Sequence, residues 1–385
     1  MGAVRFLHTS DWHVGRTFHG VDLLAEQDAV LGHIADLVAV EAVDFVLVAG
    51  DVYDRAVPSA EAVQVATRAM SRIRRAGAEL VITPGNHDSA ARLGAFGEFA
   101  AAGGLHLRTE IARIGEPVLA EDAYGPVAIY GIPYLEPEPA RYALGVPEAA
   151  GHTGVLTEAM DRVRADLARR APGTRSVVLA HAFVSGGKGT DSERPIVRGN
   201  VELVGREVFD GVDYVALGHL HGPQTLAEHV RYSGSPLAYS FSEAAQRKSV
   251  WLVDFDRAGA AEVRRQELPV PRRLAKLSGR LEQLLIAEEH SELLDCYLSV
   301  TLTDPVRPVD AMRRLRERFP FAVHLDWQPE NGNLSAALRY AEAVRGRSDS
   351  EIADNFLADC RGAPPNEREA GLLRRALETA GKGDH

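Results

Sequence analysis

Five times along this chain a short apolar run stops and is followed at once by side chains that bind metal ions, and this layout restricts the fold more than any other feature. Val4 to Leu7 leads to Asp11-Trp12-His13, Phe45-Val46-Leu47-Val48-Ala49 to Gly50-Asp51, and Leu80 to Ile82 to Gly85-Asn86-His87-Asp88. Val177 to Ala180 leads to His181, and Tyr214 to Leu217 to Gly218-His219-Leu220-His221. Short runs rich in Val, Ile and Leu read as buried strands, and a glycine after the strand lets the backbone turn sharply. Strand tips are where open α/β sheets place their chemistry. If the five strands lie parallel in one sheet, their ends converge on one crevice and residues distant in sequence share a site.

At 385 residues the chain is long enough for two or three domains. Hydrophobic content of 45% and charged content of 25% place it among ordinary globular proteins rather than disordered ones. No apolar run approaches the roughly 20 residues of a membrane span. The N-terminus enters a strand without a basic, cleavable leader, so a cytoplasmic protein is expected. Cys296 and Cys360 are the only cysteines, and neither has a second Cys or a His at ligand spacing. That excludes a disulfide framework and a thiolate zinc site. The net charge of -11 argues against a protein that grips DNA unaided through a large basic surface.

From Val4 to about Leu268 apolar runs alternate with helical stretches, an α/β layout. Helices are expected over Leu24 to Val38, over Ser59 to Arg75 with Ser59 as N-cap and Glu61 in the first turn, and over Leu156 to Arg170. A strand at Val127 to Ile132 breaks a Gly/Pro-rich interval, Lys188 to Val201 reads as a loop, and Ser249 to Phe255 and Glu262 to Leu268 read as strands. Pro269-Val270-Pro271-Arg272-Arg273 looks like a linker. Beyond it a strand at Tyr297 to Leu302, a helix at Val309 to Arg318 and a strand at Ala322 to Leu325 suggest a small α+β domain. The expected domains are therefore 1–268, 272–346 and a helical tail, 349–385. In the tail Ile352, Phe356, Leu357 and Cys360 make one apolar stripe; Ala370, Leu373, Leu377 and Ala380 make another, opened by a capping box of Asn366 with Glu369. Packing on its own domain would explain such a hairpin, but docking to a partner is the preferred reading.

Two divalent cations about 4 Å apart need a ligand that reaches both, and a carboxylate is the natural bridge; Asp51 is the candidate. Asp11 with His13, and His219 with His221, are spaced two apart, so in an extended loop each pair projects to one side. Asn86 and His181 add a neutral oxygen and an imidazole nitrogen. Oxygen and nitrogen ligands without sulfur suit Mn, with Fe or Zn as alternatives and Mg less suited. Taken singly, each piece has a plain explanation: Gly-Asp and Gly-Asn favour turns, and His181 fits a hydrogen-bonded core histidine. Five pieces in this order make coincidence a poor account. His8, His19, His33, His106, His152, His229, His290, His324 and His385 fall outside the motifs and are treated as ordinary surface or core residues.

The ordered series resembles the calcineurin-like metallophosphoesterase superfamily. His8-Thr9-Ser10-Asp11-Trp12-His13-Val14-Gly15, Ala49-Gly50-Asp51-Val52-Tyr53-Asp54, Gly85-Asn86-His87-Asp88-Ser89, Tyr214-Val215-Ala216-Leu217-Gly218-His219 and Arg231-Tyr232-Ser233-Gly234-Ser235-Pro236 further resemble the SbcD family, the nuclease subunit of the bacterial SbcCD complex. The motifs span residues 4 to about 256, and the later regions agree in layout only. The resemblance implies an α/β sheet sandwich flanked by helices, a small α+β capping domain and a C-terminal helical hairpin that docks SbcC. It implies one metal on Asp11, His13, Asp51 and His221, and the other on Asp51, Asn86, His181 and His219. His87 would face the scissile phosphate and Asp88 would orient it. Some relatives carry a His at the place of Asp54, so the resemblance assigns Asp54 no role.

The implied reaction is Mn-dependent cleavage of double-stranded DNA, as a 3′ to 5′ exonuclease and as an endonuclease at hairpins and blocked ends, in repair, recombination and replication. The implied partners are an SbcC-type ATPase with a coiled coil, DNA ends and a second copy of the chain. Ala66, Met70 and Ile73 with Leu93, Phe96 and Phe99 are candidates for the dimer patch, although core packing explains them equally well. A small-molecule phosphodiesterase or a protein phosphatase would use the same metal ligands. The appended domain, the Ser233-Gly234-Ser235-Pro236 turn and the arginines at Arg264-Arg265, Arg272-Arg273 and Arg313 to Arg318 favour DNA. A scaffold without metals is disfavoured because every expected ligand is present.

Overall fold

The computed structural model describes residues 2–193, 204–329, 347–361 and 364–380. Two six-stranded sheets hold the motif strands. The first runs Gly259–Glu267, Ser249–Asp256, Arg5–Thr9, Phe45–Ala49, Glu79–Thr83, Leu105–Leu107, and from Arg5–Thr9 to Leu105–Leu107 neighbouring strands are parallel. In the second, Gln224–Ala227, Val230–Tyr232, Tyr214–Gly218, Arg175–His181, Gly125–Gly131 and Val118–Asp122 follow in order, with Val230–Tyr232 to Gly125–Gly131 parallel. The motif strands are thus divided between two sheets, as the sheet sandwich implied by the resemblance requires, and not gathered in the one sheet that the strand pattern alone left open. Three motif strands lie in one sheet and two in the other.

The reason is visible in how alternate residues of each strand are covered. Phe45 and Leu47 pack with Val177, Leu179, Tyr214 and Ala216 in one buried cluster, so the two inner faces cover each other. Val46 and Val48 point the opposite way, into a cluster with Val30, Ile34 and Val38 of the helix Leu24–Val40 and Val65, Ala69 and Ile73 of the helix Ala60–Arg75. Val178, Ala180, Val215 and Leu217 likewise meet Val155, Ala159 and Val163 of the helix Gly151–Leu167. With side chains at period two and apolar residues on both faces, each strand needs cover twice. The crossover helices supply the outer layers, which gives a sandwich of two sheets flanked by helices.

Ser59 Oγ accepts from Ala62 N at 3.2 Å, the expected N-cap. The helix predicted from Leu156 begins earlier, at Gly151, and the one predicted from Val309 begins at Ala311. The strand Leu274–Gly279 and the short helix Leu281–Ile286 follow directly on the expected linker and were not anticipated, because six residues with Lys and Gly among them carry little periodicity. Leu274–Gly279, Tyr297–Leu302 and Ala322–Trp327 pair in that order as a three-stranded sheet.

The chain divides into two compact units, Met1–Leu277 with Glu288–Val300 and Met312–Leu325, and Ser278–Ala287 with Thr301–Ala311 and Asp326–His385. The first contains both six-stranded sheets and every motif residue. Within the second, the helices Asp349–Arg361 and Glu367–Ala380 pack on each other. Asn366 and Glu369 form the reciprocal capping box, Asn366 N donating to Glu369 Oε2 at 2.8 Å and Glu369 N to Asn366 Oδ1 at 3.0 Å. Leu373 and Leu377 are half-buried, while Phe356 and Leu372 are exposed. The side chains of Cys360 and Ala380, residues 330–346 and the end of the loop expected over Lys188 to Val201 lie outside the described residues. Among the described residues no helix is long and apolar enough to cross a membrane.

Candidate metal centre

Glycine at two strand ends lets the tips of the two sheets touch, and a third glycine brings two loops of one sheet together. A Cβ on Gly50, whose φ is +88°, would collide with the imidazole of His181, and one on Gly218 would strike the carbonyl of Ala49. A Cβ on Gly85 would meet the Asp51 carboxylate. The motif glycines therefore answer to close approach as much as to turning. Asp11 (φ 53°), His13 (φ 45°), Asp51 (φ 53°) and His219 (φ 106°) all have left-handed backbones. The two-residue spacing thus acts through tightly turned loops, not the extended ones expected. Strain of this kind gathers where a site is over-determined by its surroundings.

Backbone bonds knit the loops together: Asp11 N donates to Gly50 O and His13 N to Asp51 O, both at 3.0 Å. Across the sheets His219 N donates to Asp11 Oδ1 at 3.0 Å. The result brings Asp11, His13 and His221 within 4.8 Å of one another through one ligand atom each, and Asp11, Asp51 and His181 likewise. His181 Nε2 lies 2.9 Å from Asn86 Oδ1 and 3.4 Å from Asp51 Oδ2, and its Nδ1 donates to Ala49 O at 3.0 Å. Because a carbonyl only accepts, that bond aims Nε2 at the shared space. His219 stands beside His181, with ring centroids 5.3 Å apart. A third group joins His13 and His87 to Asp54, a residue whose role the sequence left open.

Whether cations fit is tested by the ring nitrogens. His13 Nε2 faces His221 Nε2 at 3.1 Å and Asp51 Oδ2 at 3.6 Å, and the buried His13 Nδ1 has no hydrogen-bond partner among the described residues. Two imidazole nitrogens directed at each other beside a carboxylate suit a shared cation better than a proton. Burial holds His13 and His219 well below the ordinary histidine range, which keeps them neutral and able to donate a lone pair. Burial also opposes charge on His181, but the charge and hydrogen bond of Asp51 raise it to about 9, while Asp51, despite its own burial, is lowered chiefly by His181. Asp11 is pushed up to about 6 by burial, and Asp88 to about 7 by burial and then the nearby charge of Asp51. Dications among these oxygens would relieve that crowding.

His87 N donates to Asp51 Oδ1 at 2.9 Å, and its ring Nδ1 to Asp54 O at 2.8 Å. Asp88 accepts backbone N–H bonds from Val52 (3.0 Å), Tyr53 (2.9 Å) and Gly85 (3.0 Å), so it fastens the Asp51 loop to the turn that carries His87. Sequence spacing gave no sign of Ser10, whose Oγ donates to Asp11 Oδ2 at 2.5 Å, or of Gln27, whose Nε2 donates to His13 O at 2.8 Å. It also missed Glu243 and Lys248, a buried pair behind His221. His8, set aside as ordinary, is a core residue bonded to Tyr214 Oη (3.0 Å) and Leu217 O (3.1 Å).

Residues 4–223 match the model of the calcineurin-like phosphoesterase family, and residues 270–361 match the SbcD C-terminal model, described as the type 5 capsule protein repressor C-terminal domain. Among solved structures the chain is similar to a protein of Thermus thermophilus at 14% identity, covering 69% of this chain and 99% of that one with a TM-score of 0.41. A dimetal phosphatase from Danio rerio is similar at 11% identity, with 70% and 96% covered and a TM-score of 0.39. The anchor in the inner membrane complex of Plasmodium is similar at 10% identity, with 87% and 100% covered and a TM-score of 0.35.

Proposed function

The chain belongs to the calcineurin-like phosphoesterase family and is SbcD-like, and from that premise we propose that it is a Mn-dependent DNA nuclease. The observation that carries this reading is the joining, in one chain, of the phosphoesterase domain at 4–223 to the SbcD-type domain at 270–361. In this reading double-stranded ends are digested 3′ to 5′ and hairpins are opened, with an SbcC-type ATPase as partner in DNA repair and recombination. Residues 1–268 form the nuclease domain, 272–346 the cap that meets DNA, and 349–385 the element that docks the ATPase, all in the cytoplasm. Phe96 and Phe99, 84% and 85% exposed, offer apolar surface to a second copy, whereas Ala66 and Ile73 are core residues.

One cation would be held by Asp11, His13, Asp51 and His221, the other by Asp51, Asn86, His181 and His219. Bound there, they supply charge neutralisation of the phosphodiester and a water acidified toward neutrality. His87 keeps one proton on the Asp54 carbonyl, so its exchangeable proton belongs to Nε2. From there it stabilises developing charge or protonates the leaving 3′ oxygen, a contribution of roughly 10²- to 10⁴-fold. Asp88 holds the turn in place. The test compares linear duplex DNA with a simple nitrophenyl diester, with and without Mn. Mn-dependent loss of duplex is expected; turnover of the small diester with duplex left intact would favour a small-molecule phosphodiesterase instead.

A further inference from the structure

Behind His221 lies an ion pair that the phosphoesterase reading leaves without a task. Lys248 and Glu243 have side chains 1% and 0% exposed, with Nζ 2.5 Å from Oε2. Burying both charges is expensive unless every polar atom is satisfied, and here they are: the three N–H of Lys248 are shared between Glu243 and the acceptors His221 O (2.9 Å), Ser235 Oγ (3.0 Å) and Gln246 Oε1 (2.9 Å). The second carboxylate oxygen, Oε1, accepts from Ser192 Oγ at 2.5 Å and from Tyr239 N at 3.3 Å. Ser192 Oγ in turn lies 2.6 Å from His221 Nδ1. Next to it, Glu193 Oε1 accepts from His221 N at 3.0 Å.

The direction of every bond in this chain follows from what each group can give. An ammonium only donates and the carboxylate it pairs with only accepts, so the single hydroxyl proton of Ser192 goes to Glu243. Ser192 then has only lone pairs to offer His221, whose Nδ1 must carry the ring proton. In the neutral ring that tautomer leaves the lone pair on Nε2, the atom that stands 3.1 Å from His13 Nε2 in the metal centre.

We propose that Ser192 is a positioning residue which, anchored by the buried Glu243–Lys248 pair, fixes the tautomer and orientation of His221 and so sets the affinity of one of the two cation sites. The proposal rests on His221 being a ligand, as in the proposed function. Outer partners of metal-binding histidines act in this way, and losing one typically weakens binding by about 10- to 100-fold. The pair itself is too buried to remove cleanly, since breaking it strands a charge. Ser192→Ala keeps both charges of the pair and removes the hydroxyl between it and His221, at the cost of that hydroxyl's bond to Glu243 and its contact with Thr190 Oγ1 at 3.0 Å.

The test uses the full chain and two measurements. Nitrogen-15 NMR of the histidine rings in the cation-free protein should show His221 protonated at Nδ1 in the wild type, with that preference lost in Ser192→Ala. Mn titration followed by electron paramagnetic resonance should show one site about 10- to 100-fold weaker in Ser192→Ala and the other unchanged. A wild-type His221 protonated at Nε2, or a Ser192→Ala protein that binds both cations as the wild type does, would overturn the proposal. A wild-type protein that binds no Mn while His221 is protonated at Nδ1 would count against the proposed function and not against the relay.

Discussion

Asp51 reaches both halves of the centre: it faces His13 and His181 through Oδ2 and receives His87 N on Oδ1. Replacing it with Asn keeps the shape and the bond from His87 but removes the charge that, in the proposed two-cation centre, would offset both. Asp51→Asn is expected to abolish Mn-dependent cleavage while far-UV circular dichroism stays as in the wild type. His87 differs, because its ring is oriented from the Asp54 carbonyl and is not needed to hold Asp11, Asp51 and His181 together. His87→Ala should therefore retain both cations in a titration and lose roughly 10²-fold or more in turnover. If a cation is lost in that variant, His87 is a ligand.

At the scale of the element, the strand tips depend on glycine. Gly50→Ala would force an L residue into a φ of +88° and drive its methyl group against His181. A strained backbone of this kind costs on the order of 1–3 kcal/mol, and the displaced imidazole should also weaken cation binding; thermal melts with and without Mn separate the two effects. The strands Phe45–Ala49 and Tyr214–Gly218 were readable because five consecutive apolar residues need cover on both faces. What the same pattern does not encode is which face meets a helix and which meets another sheet. Burial on both sides is identical in the two cases, so the strand pattern alone leaves one sheet and two equally open, and the sandwich was implied only by the family resemblance. Ser192, Glu243 and Lys248 escaped for a different reason, since a buried charge and an exposed one look alike in a sequence. Asp11, His13, Asp51, Asn86, His181, His219 and His221 stood out because their spacing follows strand ends, a local property.

For the whole molecule, the tail belongs to a different compact unit from the one that carries the centre. Phe356 and Leu372 are exposed on the two tail helices, at 56% and 53%. Burying an apolar side chain of that size against a partner is worth roughly 1.5–3 kcal/mol before association costs. Deleting residues 349–385 should leave slow metal-dependent DNA cleavage and abolish co-purification with SbcC and any response to ATP. Full recovery of SbcC by the truncated protein would move the docking surface to the domain at 272–346.

The proposed ligands also come from both layers of the sandwich, Asp11, His13, Asp51 and Asn86 from loops of one sheet and His181, His219 and His221 from the other. A cation gripped by both layers acts as a rivet through a laminate. Prying the sheets apart then requires breaking coordination as well as separating Phe45 and Leu47 from Val177 and Leu179. Loss of the cation should loosen the lamination first at the tips, so that amide exchange at Gly50 and Gly218 accelerates before the outer helices respond, and the protein's resistance to peeling would track the supply of Mn.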